Sequence, residues 1–175
     1  MLASDNPASP PEERELVITH VFDAPRALVW QAFTESDGLA HWWGPAGSAL
    51  FVHTLEMRPG GIFLYSMRTP DGHVIWGRFV YRDIQPPERI VFISSFSDEA
   101  GAVTRAPFSA TWPLEILNAV TLVEYAGKTT VTLRGGPLNP TDEERDTFWS
   151  AEDSVRQGFA GTFGQLADYL VGQVG

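Results

Sequence analysis

The stretch Asn139-Pro140-Thr141-Asp142-Glu143-Glu144, followed by Phe148, Val155, Phe159, Thr162, Phe163, Leu166, Tyr169 and Leu170, decides how the rest of the chain must fold. Thr141 stands three residues before Glu144, the spacing of a capping box, and acids fill the first turn, where the helix dipole favours them. At 100° per residue the eight following positions fall on an arc of roughly 120°. One helix from Thr141 to about Val171 is expected, about 45 Å long at 1.5 Å per residue. Glu152 lies in the middle of its apolar arc. It is expected either at the mouth of whatever the helix covers or paired with a cation. Gly158 and Gly161 interrupt the helix beside the arc, each at a cost of about 1 kcal/mol against Ala. They are expected to make room, either for close helix–sheet approach or for a cavity.

Ahead of this helix the chain reads mostly as strands. Leu16-Val17-Ile18-Thr19-His20-Val21-Phe22 is apolar and β-branched, though its inward face is left open by its composition. Asp23 is expected to cap a short helix that begins at Pro25 and carries Leu28, Val29, Ala32 and Phe33 at helical spacing. A second short helix starts near Ser36-Asp37 and stops at Trp43-Gly44-Pro45. Strands follow over 51–57, 62–68, 73–84, 89–96, 119–125 and 129–134, separated by turns rich in Gly and Pro. Between two of them, Ser97–Pro113 reads as a long loop able to serve as a lid. A single antiparallel sheet must cover one apolar face, and only the C-terminal helix is large enough to do so. The expected class is therefore α+β, with an antiparallel sheet of about six strands against that helix.

The 175 residues suit one domain of ordinary size, which should bury roughly 70% of the surface its unfolded form exposes. Residues 1–14, with three prolines and Glu12-Glu13-Arg14, cannot build a core and are expected to form a flexible arm ahead of a domain at 15–175. A net charge of −10 disfavours nucleic acid and anionic membranes as partners, and no apolar run is long enough to insert in a bilayer. The start lacks the pattern of a secretory signal, so a cytoplasmic location is expected. The absence of cysteine excludes thiol nucleophiles and Cys-ligated metals. His20, His41, His53 and His73 match no metal spacing, Gly60-Gly61 and Gly135-Gly136 lack the lysine of a phosphate loop, and no cofactor is expected.

The chain resembles the heat-shock-protein-ninety ATPase activator homology family. The resemblance is carried by Phe22-Asp23-Ala24-Pro25-Arg26-Ala27-Leu28-Val29-Trp30, His41-Trp42-Trp43-Gly44-Pro45 and Met57-Arg58-Pro59-Gly60-Gly61. It continues through Pro70-Asp71-Gly72, Pro86-Pro87-Glu88-Arg89-Ile90-Val91-Phe92, Trp112-Pro113-Leu114-Glu115 and Gly158-Phe159. That family belongs to the START-related SRPBCC superfamily. The resemblance implies the helix-grip fold of the birch-pollen allergen, in which a curved sheet grips the C-terminal helix around a hydrophobic cavity. Superfamily members include lipid carriers, polyketide cyclases and hormone receptors. The co-chaperones that name the family carry an additional N-terminal domain, whereas only a short arm precedes the homologous region here. A chaperone partner is therefore an open expectation and not the leading one.

The leading expectation is a cavity for a small hydrophobic, aromatic or lipid-like ligand. Its expected lining is Trp43, His53, Phe63, Tyr65, Met67, Trp76, Arg78, Glu152, Phe159 and Phe163. His53 shares strand parity with Leu55 and Met57, which places it inward as a donor or base. Arg78 alternates with Trp76 and Val80, and is either solvated or a buried cation for a carboxylate. Two further readings stand beside this one: a cyclase- or hydrolase-type enzyme using His53, Tyr65 or Glu152, and a co-chaperone-like interaction module. A homodimer is plausible because open sheet edges need covering.

Overall fold

A computed structural model describes residues 14–174. The expected arm at 1–13 lies outside the described residues, and Arg14, its last residue, is described. Strand β1 (Leu16–Phe22) is followed by α1 (Arg26–Thr34) and α2 (Ser36–Trp42). The strands β2 (Ala49–Leu55), β3 (Ile62–Arg68), β4 (Val74–Gln85), β5 (Arg89–Ser97), β6 (Val103–Thr104), β7 (Ile116–Tyr125) and β8 (Lys128–Pro137) come next, then α3 (Asp142–Ser150) and α4 (Glu152–Val174). All neighbouring strands pair antiparallel in the order β1-β8-β7-β5-β4-β3-β2, with β6 added on β5. The sheet therefore has eight strands against the roughly six expected: the seven segments read from the sequence all pair into it, and the long loop adds the two-residue β6.

Alternation along each strand separates the two faces of the sheet. Phe63, Tyr65, Phe79, Tyr81, Ile90, Phe92, Val120, Leu122, Val131 and Leu133 are buried on the concave face, toward α4. The even residues of β1 face the same way: Leu16 and Phe22 are buried, and His20 packs its ring on Phe22 and Phe163. Helix α4 lays Phe163, Leu166 and Leu170 onto this surface, with α1 and α2 closing its C-terminal end through Val29, Phe33, Leu39 and Trp42. Trp42 donates its indole N–H to the Ala32 carbonyl at 2.7 Å, which satisfies the one polar atom of a fully buried side chain.

Three local expectations change. Pro25, not Asp23, is the N-cap of α1, and it offers no side-chain acceptor. Glu124 from β7 reaches across to take the Arg26 amide at 2.7 Å, so a carboxylate still sits at the positive end of the helix. The C-terminal helix is two helices that meet at Ala151 (φ −97°, ψ 11°). No proline or glycine breaks it there; the contacts of α3 hold it apart, through Glu144 to Arg105, Thr147 to Thr111 and Trp149 under the Arg14 guanidinium at 4.1 Å. The Thr141–Glu144 capping box forms as expected. Finally, Gly158 and Gly161 face outward, and a Cβ at either position would meet nothing within 4 Å. They create neither close approach nor a cavity.

Candidate functional site

Two adjoining cavities of about 130 and 120 Å³ lie on the concave face, the second of them beneath the N-terminal half of α4. Trp43, Ser94, Trp112 and Ile116 border both and form a waist between them. The first lobe runs along β3, β4 and β5, past Tyr65, Met67 and Phe96. The second runs under α4 and α3, past Phe92, Asn118, Leu133, Gly135, Phe148, Val155 and Phe159. No charged side chain lines either lobe.

Each wall has a local cause. Trp43 follows α2, and Gly44 behind it adopts φ +101°, a conformation that favours glycine. The Gly44 carbonyl accepts from Thr162 Oγ1 at 3.1 Å and Gln165 Nε2 at 2.7 Å, which ties this corner to α4. Trp43 thereby stands edge-on to Phe79, with ring centroids 5.2 Å apart. Tyr65 lies flat across Gly77 of β4: a Cβ there would come within 2.4 Å of the tyrosine hydroxyl. The glycine is the space the ring occupies. Burial pushes the Tyr65 hydroxyl pKa up, with a hydrogen bond to Trp43 opposing, so the group is a neutral donor and acceptor. The hydroxyl of Tyr81 is also pushed up, first by burial and then by Tyr65, and is buried with no partner among the described residues. It borders a void of about 10 Å³ beside Trp42, room for no more than one water.

The roof is the end of the segment 98–115, where Trp112 and Pro113 border the lobes. Trp112 packs on Phe148 of α3 at 5.4 Å and on Phe108 at 5.6 Å. Arg105 donates to the Trp112 carbonyl at 3.1 Å and to Glu144 Oε2 at 2.6 Å, while Thr111 and Thr147 share a hydroxyl hydrogen bond of 2.8 Å. Glu144 is buried, and the Arg105 hydrogen bond, followed by that from the Thr141 amide, holds its carboxyl below the usual range. The roof is thus latched to the start of α3 by a polar clasp.

The ten expected lining residues separate. Trp43, Tyr65, Met67 and Phe159 border the lobes, and Trp76 borders the first from its strand. Phe63 and Phe163 stand behind them in the solid core. His53 is not inward. A β-bulge between Val52 and Thr54 makes it the extra residue of β2, and its Nε2 lies 2.8 Å from Ser66 Oγ on the convex face. The ring of Trp76, opposite Ser66, stacks there on His53 with centroids 4.5 Å apart. Arg78 shares that face and donates to the Gly101 carbonyl at 2.9 Å. Glu152 borders neither lobe. At the start of α4 it pairs with Arg14 at 2.8 Å and Arg156 at 3.0 Å, the cation-paired alternative of its two expected settings. His53, Tyr65 and Glu152 are thus not brought together. Sequence reading missed Ser94, Asn118 and Ile116, and drew no lining role for Trp112, although its aromatic–proline pair marked a fixed point in the loop.

A larger groove of about 620 Å³ opens on the convex face beside Arg14, Arg89, Arg134 and Arg145. Each arginine already has a carboxylate within 4.0 Å: Glu152, Asp83, Glu15 and Asp142 respectively. With its charges already paired at the surface, it offers less discrimination than the uncharged, mostly apolar lobes. Among the described residues no group of three or more His, Cys, Asp or Glu could hold a metal ion. No described helix is long and apolar enough to cross a membrane.

A sequence comparison with curated proteins finds no match. Solved structures do match. A protein from Mycobacterium smegmatis is 26% identical, with 89% of this chain and 90% of that one covered at a TM-score of 0.72. One from Arthrobacter aurescens is 25% identical, with 91% and 87% covered and a TM-score of 0.75. The AHSA1 protein of Silicibacter pomeroyi, 16% identical with 91% and 99% covered, shares the fold at a TM-score of 0.70. The α+β plan expected from the residues, and the helix-grip fold that the resemblance implies, are therefore the fold this chain shares with these proteins. The family model described as Activator of Hsp90 ATPase homolog 1-like protein matches residues 23–171, and the chain belongs to that family.

Proposed function

We propose that the protein binds a small, neutral, largely apolar molecule in the two adjoining lobes on the concave face, the second of them under α4. One observation carries this reading: the lobes are lined mainly by aromatic and aliphatic side chains and bordered by no charged group. A carboxylate or phosphate placed there would lose its hydration with no cation to replace it, at a cost of several kcal/mol. An apolar molecule gains about 25 cal/mol for each Å² it removes from water. The lining that serves this function is Trp43, Tyr65, Met67 and Phe159, with Phe63 and Phe163 as its backing; the Trp76 ring lies on the other face, with His53. The partner is this small molecule, and a polypeptide partner has no enclosed site of this kind.

Native mass spectrometry of protein purified from its own cells, before and after organic extraction, tests the reading. A discrete extra mass removed by extraction is expected. Ile116→Trp, which fills the waist, should abolish the retained mass, while His53→Ala on the other face should leave it unchanged. A protein with no removable mass, and no thermal shift with any of a panel of neutral one- and two-ring compounds, would overturn the reading.

A further inference from the structure

The second lobe contains a polar pair whose hydrogen-bonding capacity is only half used. Asn118 lies on β7 with its side chain on the concave face, 7% exposed, among apolar neighbours. Its amide nitrogen donates to Ser94 Oγ at 3.0 Å and to the Ile116 carbonyl at 3.1 Å. The second bond fixes the amide orientation, because a carbonyl can only accept. Both N–H groups are then committed. Asn118 Oδ1 accepts from no donor among the described residues, and the Ser94 hydroxyl, which accepts from Asn118, has no acceptor for its own proton.

Gly135 explains why Oδ1 has room. It pairs with Asn118 across β7 and β8, and a Cβ there would lie 3.3 Å from Oδ1 and 2.3 Å from the Leu117 carbonyl. No side chain fits, so the amide oxygen lies over bare backbone at the edge of the lobe. Ser94 borders both lobes at the waist. An apolar cavity thus presents one free acceptor and one free donor, side by side, with no charge.

Each lobe is close in volume to a cavity of about 150 Å³ that holds one benzene. Two such lobes joined by a waist suit two linked rings better than one extended chain.

We propose that Ser94 and Asn118 form the recognition element for a hydroxyl group on a neutral two-ring ligand. The hydroxyl donates to Asn118 Oδ1 and accepts from Ser94. This rests on the cavity reading above and names the class of molecule the cavity takes. A single hydroxyl satisfies both groups at once. An ether, a ketone or a bare hydrocarbon leaves Oδ1 buried without a donor, and a carboxylate brings an unpaired charge.

Three probes of nearly equal shape test this in the intact protein: 4-hydroxybiphenyl, biphenyl and biphenyl-4-carboxylate, titrated with thermal and fluorescence readouts after organic extraction. The expected result is 4-hydroxybiphenyl binding about tenfold more tightly than biphenyl, with the carboxylate weakest. Asn118→Leu should erase the preference for the phenol while biphenyl still binds. Ser94→Ala, a smaller change that keeps the strand intact, should reduce that preference in the same direction. Equal binding of phenol and hydrocarbon to the wild type, or a preference that survives both substitutions, would overturn the assignment and leave the cavity reading standing. Failure of all three probes to bind would overturn the two-ring assignment, and only together with the absence of any removable mass would it overturn the cavity reading too.

Discussion

The two halves of the sheet–helix interface are built on the same plan and filled differently. Toward its C-terminus α4 presses Phe163, Leu166 and Leu170 against Trp42, Phe33 and the ends of the central strands, and a void bordering Trp42 there is about 10 Å³. Toward its N-terminus Val155 and Phe159 face the lobe of about 120 Å³, which adjoins the one of about 130 Å³ at the waist. The solid half owes its density to α1 and α2, two short helices that bring a second layer of large side chains. The hollow half has only segment 98–115 and α3 above it, held by Arg105–Glu144 and Thr111–Thr147. Stability is concentrated at one end and space at the other, so a guest can occupy the hollow half without repacking the core.

The largest effect expected from this division is at Leu166. It is fully buried in the solid half, and Leu166→Ala should cost about 2–5 kcal/mol by denaturant unfolding. Phe159→Ala removes more atoms, yet its ring already borders a lobe, so it should cost less than Leu166→Ala. Equal or greater cost at Phe159 would erase the distinction between the halves.

Next in size is the clasp. Glu144→Gln should cost about 1.5 kcal/mol, discounted because Arg105 is half exposed. Faster amide exchange should be confined to 98–115 and α3, with α1 and α2 unchanged. The carboxyl of Glu144 is held below its ordinary value, so its contribution is complete above the pKa of an unfolded glutamate, about 4.3, and is lost as pH falls through the lower folded value. Wild-type exchange in the roof should therefore rise only in acid, while Glu144→Gln shows raised exchange at neutral pH and little further change. The smallest effects belong to the outward glycines. Gly158→Ala and Gly161→Ala should each stabilise by about 1 kcal/mol without altering ligand retention. A loss of retention would return them to the cavity.

The sequence carried the architecture because its signals there are periodic. The capping box at Thr141, the apolar arc of α4 and the strand–turn alternation each repeat over many residues. The site was less legible for reasons that can be named. His53 was placed inward by counting in twos, and a bulge adds one residue that such counting cannot see. Trp76 and Arg78 sit on a strand with large side chains on both faces, so apolar content does not choose a side. Ser94 and Asn118 are small polar residues of the kind that usually marks the solvated face. The available signals were Gly77 and Gly135 inside strands, where a missing side chain marks space used by a neighbour: the ring of Tyr65 and the amide of Asn118.

The edges of the sheet bear on solubility. Strands β1 (LVITHVF) and β2 (ALFVHTL) terminate the sheet and carry no charged residue, the composition that invites a passing chain to add another strand. At one end Arg156 donates to the Val17 carbonyl at 2.8 Å while paired to Glu152, so an incoming strand must displace a charged group already bound. At the other, the bulge at His53 breaks the regular spacing of backbone donors and acceptors that templated growth requires. The bulge that turned His53 away from the cavity therefore helps keep the protein from polymerising.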